Sequence, residues 1–201
     1  WYTVPFIGNK SKIFNTFKDM IIDPINNRDW HVFDPRFPEV RDYIIGVYEK
    51  ALIDWDLDGF KLDFVDEFVV TPFSGNINDE RRDYESISEA ADKLLKDCIS
   101  RLKSIKPDIM LEFRQTYNGP IMRTYGNIFR AVDCPLDDLE NRIRICDIRL
   151  IAGNSAVHSD MIMWNVNDTV ESAALQFINI LFSVPQISML IDKLPKNHYN
   201  M

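Results

Sequence analysis

The chain has 201 residues, a formal net charge of −8 and a pI near 4.9, which argues against a nucleic-acid or anionic-membrane partner, because both require a basic face. A neutral substrate such as a sugar is compatible with this charge. With 46% apolar and 12% aromatic residues the chain can build one sizeable core, and no run approaches the roughly 18 apolar residues that span a bilayer.

Short apolar segments alternate with longer segments of helical period, which is typical of a parallel sheet covered by helices. Strands are predicted at 1–6, 31–34, 59–65, 108–113, 128–133, 156–163 and 186–190. Helices are predicted at 11–22, 38–55, 86–104, 137–153 and 169–183. Pro38 suits a first helical position, and Ser86 followed by Glu89 has the spacing of a capping box.

This order of elements favours an α/β fold of the TIM-barrel type, a (β/α)8 barrel lacking one of its units. An open α/β sheet of six or seven strands is the alternative. The glycine motifs that hold phosphates in nucleotide-binding folds do not occur in the sequence. Because the first predicted strand begins at residue 1, we expect 1–201 to be a single barrel domain excised from a longer multidomain chain, with the first strand and the flanking domains absent.

Ionisable residues stand at the carboxyl ends of five successive predicted strands. They are Asp34, Lys61, Asp63, Glu112, Arg114, Arg130, Asp133, His158 and Asp160. In a (β/α) barrel these strand ends meet at one face and form the active site. Since a buried charge without a partner costs several kcal/mol, such regular placement predicts a functional site.

Lys61 and Asp63 lie two residues apart and therefore share one face of their strand. Three chemistries fit them. Glycoside hydrolysis uses a pair of carboxylates, Schiff-base chemistry would use Lys61 as the nucleophile with Asp63 as proton shuttle, and enolate chemistry would bind a divalent metal through Asp63, Asp66 and Glu67. A lysine held charged by a neighbouring carboxylate counts against the Schiff base, and Asp66 and Glu67 fit a solvated loop after the strand.

Several segments, in order, resemble the retaining α-galactosidases of glycoside hydrolase families 36 and 27. GFKLDF (59–64) is similar to the fourth barrel strand, where a Lys-x-Asp motif supplies a substrate-binding lysine and the nucleophile. RAVDCPLDD (130–138) is similar to the sixth-strand segment that carries the acid/base aspartate. VFDPRFPEVRDYI (32–44), SAVHSDMIMW (155–164) and FSVPQIS (182–188) resemble the third, seventh and eighth strands, so the fragment would contain strands 2 to 8.

The resemblance implies that Asp63 is the nucleophile and Asp133 the acid/base residue of a double-displacement reaction on terminal α-galactosides. Lys61 would contact sugar hydroxyls, Trp1 would form an aromatic wall, and Asp160 would lie near the sugar ring. The resemblance also implies an oligosaccharide or α-galactoside as substrate, and no metal or organic cofactor. An incomplete barrel leads us to expect weak or absent activity from residues 1–201 alone.

Three further residues are candidate substrate contacts by position: Arg114, Arg130 and His158. The two arginines are equally suited to ion pairs with Glu112 or Asp133, and His158 to a core position. Asp133 also suits a helix N-cap.

LEFRQTYNGP (111–120) departs from the family pattern, since Arg114 and Gln115 stand where small residues are expected. Two alternative functions therefore stay open: another α-glycosidase, such as an α-glucosidase, and a non-catalytic carbohydrate-binding barrel. The sequence also leaves open whether the protein is a homo-oligomer and in which cellular compartment it lies. The three cysteines, Cys98, Cys134 and Cys146, lack CxxC spacing and are predicted to be buried free thiols.

Overall fold

The computed structural model describes residues 2–23, 28–71, 74 and 79–201. The chain falls into two compact units, Trp1–Leu111 and Glu112–Met201. Within the described ranges no helix is both long and apolar enough to cross a membrane. The α/β class is confirmed, whereas the single barrel domain stays a prediction.

The first unit contains a parallel strand pair and the beginning of a third strand. β1 (Tyr2–Thr3) pairs with β4 (Gly59–Asp63) in parallel, with Thr3 opposite Asp63. β5 (Met110–Arg114) begins in this unit, where the Met110 N–H donates to the Asp58 carbonyl at 3.0 Å. A Cβ on Gly59 would lie 2.1 Å from the Met110 carbonyl oxygen, so glycine is what permits this close approach.

The helices of the first unit are α1 (Phe14–Phe17), α2 (Pro38–Asp54) and α3 (Ile87–Ile105). Both predicted helix starts are confirmed. Pro38 opens α2, and the Ser86 hydroxyl accepts a hydrogen bond from the Glu89 N–H at 3.3 Å at the start of α3. α2 and α3 pack against each other. Their buried side chains include Val40, Ile44, Tyr48, Leu52, Leu94, Leu95 and Leu102.

Two sequence predictions differ from the structure in this unit. The helix predicted at 11–22 is a single turn, α1. Residues 20–22 instead pair with the segment around β3: the Ile22 N–H donates to the Val32 carbonyl, and the Met20 carbonyl accepts from the Asp34 N–H, each at 2.9 Å. The strand predicted at 31–34 is β3 (Trp30–Val32), which pairs antiparallel with β2 (Phe6–Gly8). The expectation of a strand in the parallel sheet is therefore wrong for this segment, because its backbone partners come from the short β2.

The second unit contains parallel strands in the order β5, β6 (Ile128–Arg130), β7 (Ala156–Ile162) and β8 (Val184–Ile187). Its helices are α4 (Asp138–Ala152), α5 (Val170–Asn179) and α6 (Lys196–Tyr199). Short 3-10 turns at Pro120–Thr124 and Ile191–Lys193 join these elements, and a third 3-10 turn, Val65–Glu67, follows β4 in the first unit. Strands alternating with helices produce the predicted α/β pattern, whereas a closed barrel stays a prediction.

Side chains of β5, β6 and β7 alternate between two faces, as period two requires. Phe113, Phe129 and Val157 point to one face and are buried, together with Ile145 and Ile148 of α4. The other face carries the ionisable residues. The charged side chains of these apolar strands therefore all lie on one face of the sheet.

The cysteines are free thiols, as predicted, but not all are buried. Burial raises the pKa of Cys98 to about 12 and that of Cys134 to about 12, so neither is a nucleophile at neutral pH. Cys146 is exposed, and its predicted burial is wrong because Ile145 and Ile148 turn the apolar face of α4 inward and leave Cys146 on the opposite face.

Candidate active site

Asp63 ends β4 in the first unit and is 3% exposed. Its Oδ1 accepts a hydrogen bond from the Phe64 N–H at 2.9 Å, and its Oδ2 lies 3.5 Å from Lys61 Nζ. Each carboxylate oxygen therefore faces a donor or a cation. A carboxylate held in this way has the charge and the fixed orientation that a nucleophile requires.

The local backbone explains this geometry. Lys61 and Asp63 point to one side of β4 and Leu62 to the other, where it is buried. Phe64 follows with φ 62° and ψ 25°, a left-handed conformation that is uncommon for an aromatic residue and concentrates at functional sites. Asp66 is exposed in the turn Val65–Glu67, in the solvated position after the strand that the sequence predicted.

Asp34, in the same unit as Asp63, is paired with arginines, whereas Asp63 lies beside a lysine. Its side chain is fully buried, and its oxygens accept hydrogen bonds from Arg36 Nε at 2.9 Å and Arg36 Nη2 at 2.8 Å. Arg82 Nη2 lies 2.9 Å from the same carboxylate. Next to it, Arg41 pairs with Asp83, and this hydrogen bond raises the pKa of Arg41 and lowers that of Asp83. These pairs tie the end of β3 and the start of α2 to residues 82–83.

The second unit places the predicted residues of three strands in one row. Arg114 is opposite Arg130, and Arg130 is opposite His158. Residues in register on parallel strands project to the same face, and so do residues two positions away. Glu112 and Asp160 therefore join this row, and the sheet brings five of the ionisable residues together.

Arg130 is the centre of this cluster. It is 3% exposed, its Nη1 pairs with Asp160 Oδ1, and its Nη2 lies 2.7 Å from Asp133 Oδ1. Its Nε is 3.8 Å from Glu112 Oε1 and has no hydrogen-bond partner among the described residues. Arg130 thus forms the ion pairs that the sequence left open, and its predicted contact with substrate stays a prediction.

Glu112 also forms a hydrogen bond with His158. His158 Nδ1 lies 2.7 Å from Glu112 Oε2. Gln186 Nε2 is 3.1 Å from the same nitrogen, and because an amide nitrogen only donates, it does not compete with Glu112 as an acceptor. Since a carboxylate only accepts, Nδ1 carries the proton in this contact. The pair fixes the orientation of the imidazole ring, and the predicted contact of His158 with substrate stays a prediction.

Asp160 is fully buried beside an irregularity in β7. Between His158 and Met161 the pairing with β8 shifts register, which re-aims side chains locally. The Asp160 N–H donates to Asn141 Oδ1 at 3.0 Å, and its Oδ2 accepts from the Cys134 N–H at 2.6 Å. Because Asp160 is enclosed in this way, a structural role is favoured. Its predicted place near a sugar ring stays a prediction.

Asp133 follows β6 with its side chain 68% exposed. It does not cap α4, because Asp137 does so by accepting from the Glu140 N–H at 2.9 Å. An exposed carboxyl held by the Arg130 guanidinium can be reached by a ligand, and a general acid/base must lie within hydrogen-bond reach of its substrate.

Two predicted substrate contacts remain. The Arg114 guanidinium donates to the Gln115 carbonyl at 2.9 Å and lies 5.3 Å from the centroid of the Tyr117 ring. Trp1 lies outside the described residues. Over the described parts of the chain no group of three or more His, Cys, Asp or Glu side chains could hold a metal ion.

Two polar residues of the cluster, Asn141 and Gln186, were not chosen from the sequence. Glu112 was among the predicted strand-end charges but received no role of its own. Asn141 is a buried amide on the inner face of α4, where helical periodicity predicts an apolar side chain. Gln186 follows a proline at the strand end and carries no sequence signal, because only the register of β7 and β8 places it beside His158.

No protein-family model matches the sequence, and no curated protein matches it. Solved structures share its fold. The GH36 α-galactosidase AgaA from Geobacillus stearothermophilus is 16% identical with a TM-score of 0.69, and the match covers 100% of this chain and 29% of that protein. The α-galactosidase TtGalA from Thermus thermophilus, in complex with stachyose, is 16% identical with a TM-score of 0.64, over 100% and 47% of the two chains. The glycoside hydrolase domain of PelA from Pseudomonas aeruginosa is 15% identical with a TM-score of 0.58, over 98% and 78%.

The chain therefore has a glycoside hydrolase fold. It spans less than half the length of these two α-galactosidases and most of the PelA domain.

Proposed function

We propose that this chain belongs to a (β/α)8-barrel retaining α-glycosidase that removes terminal α-galactose from oligosaccharides. The observation that carries the proposal is the environment of Asp63: a buried carboxylate at the carboxyl end of a parallel strand, with Lys61 Nζ 3.5 Å from one oxygen and the Phe64 N–H 2.9 Å from the other. The shared fold with α-galactosidases supports the substrate class.

Asp63 is the nucleophile in this mechanism. Its carboxylate attacks the anomeric carbon, the glycosidic C–O bond breaks, and a covalent glycosyl-enzyme forms. Lys61 contributes in two ways, since its ammonium group stabilises the carboxylate before attack and donates to sugar hydroxyls. The Phe64 N–H fixes the plane of the carboxylate, so that one oxygen is held while the other attacks.

Asp133 is the acid/base residue. As an acid it gives its proton to the leaving oxygen, and as a base it later takes a proton from the water that releases the sugar. Its exposure makes it accessible to substrate, and the Arg130 guanidinium at 2.7 Å holds its position. In retaining glycosidases generally, the nucleophile and the acid/base carboxyl lie about 5–5.5 Å apart.

Arg114 and His158 complete the proposed sugar site. Arg130 acts chiefly through Asp133, and the buried Asp160 holds Arg130 in place. The substrate is neutral, and the proposed chemistry requires no metal or organic cofactor. An α-glycosidase with another sugar preference is the second candidate, since Arg114 and Gln115 depart from the family pattern at the end of β5.

Replacement of the nucleophile tests the proposal. Asp63→Asn is expected to reduce hydrolysis of aryl α-galactosides by orders of magnitude, because an amide oxygen cannot form the glycosyl-enzyme. Asp66→Asn is the matched control: the same change three residues later on an exposed side chain, expected to leave activity unchanged. Hydrolysis by the Asp63→Asn variant near the wild-type rate would exclude the assignment. Parallel assays with aryl α-glucosides decide the sugar preference.

The acid/base role has its own test. Asp133→Asn is expected to slow hydrolysis of substrates with poor leaving groups by about 10²- to 10⁴-fold, and to spare the first step for an activated aryl leaving group that departs without a proton. Asp147→Asn, an exposed carboxylate on α4, is the control. Equal losses on both substrate classes would argue against general-acid catalysis, and an inverted product anomer, observed by proton NMR, would refute retention.

A further inference from the structure

We propose that Trp30, Phe6 and Phe64 form a sugar-binding strip that holds the leaving-group side of an oligosaccharide, outside the site of bond cleavage. The three rings form a continuous series. The Phe64 ring centroid is 5.2 Å from that of Phe6, and the Phe6 centroid is 4.6 Å from that of Trp30. This inference rests on the proposed function, because it assigns the strip to the same substrate.

The backbone places this strip at the end of β4 that carries Asp63. Thr3 is opposite Asp63, and the next residue, Val4, donates its N–H to the Asp63 carbonyl at 3.0 Å. The chain then enters β2 at Phe6. The pair β2 and β3 therefore extends onward from the carboxyl end of β4, and Phe64 directly follows Asp63 in the sequence.

The two faces of the β2 and β3 pair differ in exposure. Ile7 and His31 are opposite one another and buried, so that face belongs to the core. Phe6 and Trp30 point to the other face, where Trp30 is 38% exposed and Phe6 half-buried. Gly8 is directly opposite Trp30. Among the described residues, only the Asp29 carbonyl oxygen would lie within 4 Å of a Cβ added to Gly8, at 3.8 Å, so these residues leave space beside the indole.

The chemistry of this face suits a sugar. A pyranose ring has a face of C–H groups that packs on an aromatic ring and hydroxyls that require donors and acceptors at its edge, and Trp combines a large apolar surface with a polar N–H. The Arg28 guanidinium lies 5.4 Å from the Trp30 ring centroid, where it can donate to hydroxyls of a stacked sugar. An enzyme that removes a terminal sugar extends its site only on the leaving-group side, so the strip receives the second and third sugar units.

The experiment compares two substrates of the same enzyme. A glycosyl fluoride has no leaving-group sugar, whereas a tri- or tetrasaccharide has two or three. Trp30→Ala is expected to lower kcat/KM for the oligosaccharide about tenfold, the effect of losing one good aromatic contact, and to leave the fluoride unchanged. Trp30→Phe should recover most of the loss, because it keeps an aromatic face.

Trp55→Ala is the matched control. Trp55 is 72% exposed and directly follows α2, at the amino end of β4, away from Asp63, and its loss should affect neither substrate. Binding is measured separately by calorimetric titration of the oligosaccharide into the Asp63→Asn variant, with and without Trp30→Ala. Weaker binding in the double variant supports the strip.

Equal losses on fluoride and oligosaccharide would overturn the subsite in favour of a structural role for Trp30. No loss on either substrate, while Asp63→Asn abolishes turnover, would overturn the strip and leave the proposed function standing. These assays use the full-length protein, because weak or absent activity is expected from residues 1–201 alone. If the full-length wild-type protein neither hydrolyses nor binds any glycoside, the proposed function fails and the strip fails with it.

Discussion

Arg130→Met is expected to destabilise the second unit by about 3–5 kcal/mol, the cost of removing one partner of a buried ion pair. The change keeps an unbranched apolar side chain and removes the guanidinium. Asp160, which is fully buried, then loses its cation and keeps the Cys134 N–H at 2.6 Å. One backbone donor does not offset a buried negative charge.

The other two partners of Arg130 contribute less. Asp133 is 68% exposed, and ion pairs with exposed carboxylates are worth about 0–1 kcal/mol. Glu112 is 3.8 Å from Nε and retains His158 at 2.7 Å. The unpaired charge of Asp160 therefore accounts for most of the loss. Adding Asp160→Asn to Arg130→Met removes that charge and should recover more than half of it.

The assay is urea unfolding at pH 7 in a background where Trp1, Trp30 and Trp55 are replaced by Phe, so that fluorescence reports on Trp164, which is buried in the same unit as Arg130. Lys50→Met is the control; it removes the cation of an exposed helical pair with Asp54 and should cost less than about 0.5 kcal/mol. A loss below about 1 kcal/mol for Arg130→Met, or no recovery in the double variant, would refute the idea that a buried unpaired carboxylate dominates the energetics.

Two further predictions concern the first unit. Gly59→Ala places a Cβ 2.1 Å from the Met110 carbonyl oxygen and should lower the free energy of unfolding by about 1–3 kcal/mol. Gly46→Ala lies in α2, where no atom of the described residues is within 4 Å of the new Cβ, and should raise the free energy of unfolding by about 0.5–1 kcal/mol. Equal effects of the two changes in urea unfolding would contradict this. Burial lowers the pKa of His31, with a contribution from Arg28, so the unfolded state binds more protons. Stability should therefore fall as the pH drops below about 6.5, by at most about 1.4 kcal/mol per pH unit, and His31→Gln should flatten this slope in unfolding curves measured from pH 7 to 5.

The sequence alone determined the order of strands and helices in most of the chain. Periodicity predicted α2, α3 and α4 nearly to their ends, because their apolar faces and their N-terminal residues are local signals. The spacing of Lys61 and Asp63 likewise predicted a shared strand face, since side chains alternate with period two.

Tertiary structure decided what local signals cannot express. β3 pairs with β2 because of contacts between residues 6–8 and 30–32, and no local pattern specifies whether a short apolar segment pairs in parallel or antiparallel. The same holds for Arg130, whose partners come from β5, from β7 and from the loop after β6. The sequence determined that charges would stand at strand ends, whereas strand register decided which charges meet, because register depends on residues far apart in the chain.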